Sequence, residues 1–123
     1  MTRRTLVLLD AGLEMVTGVA LIADPNLVSR VLLGVGLSGS GIAVGRVAGL
    51  GLLSLGLACW PSGAYATSQT TRALLTYNLL TTLYIGYLRI GGGFAGYLLW
   101  PAFVFHALLT LLLARQANED AIT

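Results

Sequence analysis

Residues 6–25 read LVLLDAGLEMVTGVALIADP. The stretch is apolar or small apart from Asp10, Glu14, Thr17 and its closing Asp24. As a helix rising about 1.5 Å per residue, its first eighteen residues reach roughly 27 Å. That is close to the ~30 Å of hydrocarbon in a bilayer. Asp24-Pro25 ends the run, because proline disfavours helix in the residue before it. A removable signal peptide fits poorly, since no clean small-residue cleavage site follows the apolar segment.

The same pattern recurs along the chain. Residues 39–60 stop at Pro61, residues 70–90 stop at the triple glycine 91–93, and residues 94–114 form a last apolar run. With the span over residues 6–23, the spacing predicts an all-α bundle of four transmembrane helices in one domain, residues 1–123. Residues 25–34, PNLVSRVLLG, carry proline at a first turn and glycine at an end, which are helix start and stop signals. Leu27, Val31 and Leu32 share a face opposite Asn26, Ser29 and Arg30, so a short interfacial helix on the membrane surface is expected between spans one and two.

Composition agrees with a membrane chain. Of 123 residues, 56% are hydrophobic and 10% charged, against about 25% charged in ordinary domains. Mean hydropathy is +0.84. These values exclude a disordered, coiled-coil or ordinary soluble protein. The net charge of +2 comes from seven arginines and no lysine, scattered rather than clustered. No basic patch suited to nucleic acid exists. The single cysteine, Cys59, excludes an internal disulfide and a CxxC pair, and reads as a small buried hydrophobe. Arg3, Arg4, Arg72 and Arg115 would lie on one side, Arg30 and Arg89 on the other. The positive-inside rule then puts both termini in the cytoplasm, at a bacterial cytoplasmic membrane. Trp60, Tyr65, Tyr87, Tyr97 and Trp100 fall near span ends, where amphipathic rings prefer the interface.

Gly41, Gly45 and Gly49, within GIAVGRVAG, are four residues apart and line one face of the second span. Such a face admits close approach of another helix, of this chain or of another subunit. With Ser38, Gly39, Gly51, Ser54 and Gly56 also small, the second span is expected to be the central helix. Pro101, two turns into the fourth span, is expected to kink it.

Ionisable groups at membrane depth cost about 2.5–3.5 kcal/mol each on insertion scales, so each calls for a reason. Asp10 and Glu14 share a face of the first span, continued by Thr17 and Gly18. Arg46 lies in the second span. Asn78, beside Tyr77, Thr81 and Thr82, lies in the third, and His106, with Thr110, in the fourth. At about 1.5 Å per residue, Glu14 and Asn78 lie roughly 11–13 Å from the terminal side, Arg46 about 10 Å from the other, and His106 near the middle. Asp10, Glu14, Arg46, Asn78 and His106 are therefore expected to meet in one buried polar layer, with Glu14 paired to Arg46. The layer would serve either as glue between helices or, with two acids against one arginine, for proton coupling or for holding a lipophilic ligand. Bis-histidine haem ligation needs two histidines and this chain has one, so haem, like quinone, would require a partner. His106 with Asp10 and Glu14 makes an incomplete zinc set, so no metal is expected. No catalytic triad or phosphate-binding loop is present.

The acid of the first span resembles the membrane-embedded glutamate of the small multidrug-resistance antiporters, with Glu14 at the matching position. A wider resemblance covers residues 6–60. GLEMVTGVALIADP, then VSRVLLG, then GRVAGLGLLSLGLACW are similar to the DoxX-like small four-helix membrane proteins, a first helix ending in Pro followed by an amphipathic piece and a glycine-rich helix ending in an aromatic. That resemblance implies a fold, and some such proteins accompany quinone-linked oxidoreductases. Together these readings predict a non-catalytic accessory subunit of a larger membrane complex (respiratory, photosynthetic or transport), or self-association. The alternative is a binder or transporter of a lipophile such as a quinone, and a small membrane enzyme comes third. The subunit reading expects a filled centre, with Leu79, Leu80, Leu83, Leu98, Phe105 and Leu109 facing lipid or a partner.

Overall fold

Thr2 opens the first helix: its hydroxyl accepts the Thr5 N–H at 3.2 Å, satisfying one of the donors that every helix start leaves without a partner. In the computed structural model, which describes residues 1–63 and 66–122, helix α1 then runs Arg3–Ala23. Asp24 serves both sides of the next junction. Its N–H bonds back to Ala20, and its carboxylate accepts the Leu27 N–H at 3.0 Å. Pro25 sits where a helix needs no donor, and α2 runs Pro25–Leu33, ending at Gly34 in the left-handed region, φ 80°. Three long helices follow: α3, Ser40–Cys59; α4, Ser68–Ile90, capped by Thr67; and α5, Leu99–Ile122. No strand occurs among the described residues. Helices α1, α3 and α5 (over Leu99–Glu119) are long and apolar enough to cross a membrane. Tyr65 lies outside the described residues; Trp60, Tyr87, Tyr97 and Trp100 are exposed at or beside helix ends.

Helix α1 touches all four other helices. The expectation that the glycine-rich helix is central is therefore corrected. Helix α1 buries Leu6, Val7, Asp10, Ala11, Glu14 and Gly18, while α3 buries only Gly49, Gly56 and Cys59. Small side chains let α3 approach one neighbour closely, and most of its surface is left outside. The seam is antiparallel. A Cβ at Gly49 would stand 2.7 Å from the Gly18 carbonyl oxygen, and one at Gly56 2.6 Å from that of Ala11. At the other end, a Cβ on Gly45 would meet Pro25 Cβ at 2.7 Å. The close contact expected of Gly45 and Gly49 thus lies within the chain. Gly41 only faces Leu37 of the preceding loop.

Helix α2 leaves Arg30 exposed but turns Ser29, and Asn26 in part, inward. Buried Ser29 donates to the Val35 carbonyl at 2.7 Å, and Asn26 Oδ1 accepts the Leu37 N–H at 2.7 Å. Both side chains tie down the connection to α3, and Leu27 is left exposed. The C-terminal carbonyls of α2 are served from far along the chain: Leu98 N–H reaches Val31 O at 2.8 Å and Ala95 N–H reaches Leu33 O at 3.3 Å. A Cβ on Gly96 would overlap the Leu32 backbone.

That use of residues 91–98 corrects the fourth span. It begins at Leu99 rather than 94, and continues past 114 because ARQANEDAI, although polar, consists mostly of good helix formers. Pro101 consequently falls in the first turn of α5, where its missing N–H breaks no internal bond, so the proposed reason for a kink disappears. Helices α4 and α5 pack against each other, and with α1 they enclose Leu6, Val7, Leu74, Leu109 and Leu113. Leu109 thus belongs to the core, while Leu79, Leu80, Leu83, Leu98 and Phe105 are exposed.

The seam can be tested directly. Gly49→Leu forces a side chain against backbone atoms that cannot yield, and should lower stability in detergent by about 1–3 kcal/mol or more. Gly51, which has nothing within 4 Å of an added Cβ, should accept the same change without loss in thermal unfolding.

Candidate functional site

Two elements bring Asp10 and Asn78 together. Asp10 faces inward seven residues into α1, and Asn78 lies at the buried face of α4; both are fully buried. The Asn78 amide Nδ2 donates to Asp10 Oδ2 at 2.6 Å and to the Leu74 carbonyl at 2.9 Å. On its other side, Asn78 Oδ1 stands 2.7 Å from His106 Nδ1. One amide therefore joins α1, α4 and α5. Glu14, one turn along α1, is buried and lies near Tyr77 of α4. Asp10 Oδ1 and Glu14 Oε1 are buried and have no hydrogen-bond partner among the described residues. The Tyr77 and Phe105 rings stand edge-on to the imidazole, each with a centroid 6.0 Å away.

Four of the five residues expected in the polar layer thus lie together: Asp10, Glu14, Asn78 and His106. Arg46 does not. It is exposed on α3, and the expected Glu14–Arg46 pair is corrected. With Gly49 and Gly56 against α1 and Gly45 against Pro25 at the start of α2, a side chain one residue on from Gly45 is turned about 100° away from that face. The hydroxyls noted beside the layer also act locally. Thr82 donates to the Asn78 carbonyl at 2.7 Å and Thr110 to the His106 carbonyl at 2.8 Å, the i−4 back-bond by which a hydroxyl satisfies itself inside a helix.

The core around Leu6, Val7, Leu74 and Leu113 is filled, and a half-open pocket lies beside it. A cavity of about 520 Å³ lies beneath α2, walled by residues of all five helices. Leu13, Leu21, Leu32 and Ile85 give it an aliphatic lining, and Thr17, Ser29, Tyr77, Thr81 and His106 bring polar groups to its wall. Nothing in the helical periodicity signalled this space. It depends on how α2 and the loop before α5 are held apart from the crossing of α1 with α4, a long-range matter. Chemically, the site can hold an apolar body and hydrogen-bond one polar end.

No protein-family model matches the chain, and no curated protein or solved structure matches it.

Two outcomes follow. Asn78→Leu removes one partner from Asp10 and one from His106 at once. Each buried polar group left unsatisfied costs about 1–3 kcal/mol, so this variant should unfold well below the parent. Glu14→Gln and Arg46→Leu should instead be additive within about 0.5 kcal/mol, as for residues that share no contact. A double-mutant cycle in detergent measures the coupling; a large one would restore the pair.

Proposed function

We propose that the protein is a bilayer-embedded binder of a lipophilic small molecule with a polar head group, of which a quinone-type ring is one example. The cavity carries this reading. Its volume of about 520 Å³ falls inside the usual ligand-pocket range of about 300–1,000 Å³, and a mostly apolar wall with a few convergent polar groups is the common pattern of small-molecule sites. In a membrane such a ligand can enter sideways from the lipid, so the site needs no aqueous mouth.

In this reading α4 is the fourth span. Its 23 residues reach about 34 Å as a helix, and Asn78 is fully buried, so the amide at its centre is met by protein rather than lipid. Helix α2 then rests at the interface. The arginine asymmetry puts both termini in the cytoplasm of a bacterial cell.

An accessory-subunit role stands as a second reading, favoured by one observation. Ala43, Val47, Gly51, Ser54 and Ala58 form an exposed small-residue face on α3, with Arg46 at its edge, away from the seam to α1. Gly51→Leu should leave the isolated chain folded and lower the mass of any native complex on a mild-detergent gel.

The binding reading is tested by filling the cavity. Ala102 lines it on α5, and Ala102→Trp places an indole in the space. Mass spectrometry of lipid extracts should find a near-stoichiometric lipophile with the parent and at least about tenfold less with Ala102→Trp at unchanged helicity. Equal retention would refute the site.

A further inference from the structure

The hydrogen bonds around Asn78 determine more than helix packing. The Leu74 carbonyl can only accept, so the Asn78 atom 2.9 Å from it must be the amide nitrogen. The same nitrogen spends its second hydrogen on Asp10 Oδ2, 2.6 Å away. The remaining atom, Oδ1, is an acceptor with no hydrogen to give, and it faces His106 Nδ1 at 2.7 Å. Nδ1 must therefore carry the imidazole proton. In the neutral ring Nε2 is then left as a bare acceptor. Among the described residues no hydrogen bond engages Nε2, and His106 lies on the cavity wall. The chain Asp10–Asn78–His106 thus works as a brace that fixes which nitrogen is bare, as an outer partner fixes the tautomer of histidines elsewhere.

Resting on the cavity-binder reading above, we propose that the site selects lipophiles whose head group donates an O–H, a hydroquinone or an isoprenoid alcohol, with that hydroxyl donating to His106 Nε2. A quinone carbonyl or an ether oxygen would set a lone pair against a lone pair, and a site built to hydrogen-bond a hydroxyl rejects the analogue that lacks it. His106 touches the ligand; Asn78 is a positioning residue that acts through it. Tyr77, edge-on to the imidazole, flanks the place where the head group would sit.

His106 is the sole histidine of the chain, so ¹⁵N-histidine labelling of the intact protein in nanodiscs yields one imidazole. The expected spectrum has a proton on Nδ1 and none on Nε2, with the Nε2 signal moving when a decyl-tailed hydroquinone is added. Binding of that hydroquinone, kept reduced, is then compared with its quinone, with its dimethyl ether and with farnesol. The hydroquinone should bind at least about tenfold more tightly than the quinone or ether. Farnesol binding alongside it would show that any lipophilic alcohol suffices; farnesol failing would narrow the class to hydroquinones. His106→Phe should keep the apolar contacts and bring the preference below about threefold. Asn78→Leu, where it folds, should give mixed tautomers and the same loss of preference. A proton on Nε2 in the parent overturns the proposal. So does equal binding of hydroquinone, quinone and ether with Nδ1 protonated, although the cavity reading then survives. If no probe binds, this selection fails, and the cavity reading is decided separately by the Ala102→Trp extraction.

Discussion

Backbone-to-backbone contact between α1 and α3 is the constraint from which the remaining geometry follows. Where Gly18 meets Gly49, and Ala11 meets Gly56, the helices are as close as main chains allow. In hydrocarbon there is no water to expel, so dispersion over such a seam, with nothing bulky between, is what holds two helices together. The cost is asymmetry. A helix that gives its small residues to the seam has little left with which to fill space elsewhere, and α3 contributes little to the interior. Helix α1 is left with a second face, which carries two carboxyl groups and must be covered by α4 and α5.

That second face is held by polar groups, and their arrangement obeys the demand that buried donors and acceptors be matched. Asn78 suits the junction because an amide offers two hydrogens on one atom and an acceptor on the other. A leucine would fill the volume but strand Asp10, and an aspartate would repel it. Interhelical polar contacts in membranes average only about 0.6 kcal/mol, so the three-helix junction contributes orientation more than cohesion. Orientation is what a ligand site requires, and the imidazole at the end of the junction faces the cavity.

How far the residues themselves foretold this varies by the range of the interactions. Junctions encoded by neighbours were legible: Asp24-Pro25 ends one helix and begins another, and Gly34 stops α2; of the glycines spaced four apart, Gly49 lies on the seam to α1, Gly45 meets Pro25 and Gly41 only Leu37. Asp10, Glu14, Asn78 and His106 were legible as a cluster, since matching depths on separate helices leave few other partners. The orientation of Arg46 was in principle readable from the same periodicity, because a face given to Gly45 and Gly49 cannot also be given to residue 46. Pairing it with Glu14 put charge balance ahead of helical register. The α5 start and the cavity were not legible. Both depend on residues 95–98 crossing to the end of α2, a contact between segments some sixty residues apart that leaves no local pattern beyond the glycines at 91–93 and 96.

The molecule therefore has two sides with separate demands. The outer face of α3, with its small residues and Arg46, can change without touching the brace, because the glycine seam lies between them. The cavity meets α3 only at Leu52, and its polar wall comes mainly from α1, α4 and α5. Assembly into a larger complex and recognition of a lipophile would then be carried by different surfaces of one short chain. Substitutions on the α3 exterior should leave the His106 tautomer unmoved, and substitutions in the brace should leave the α3 exterior intact.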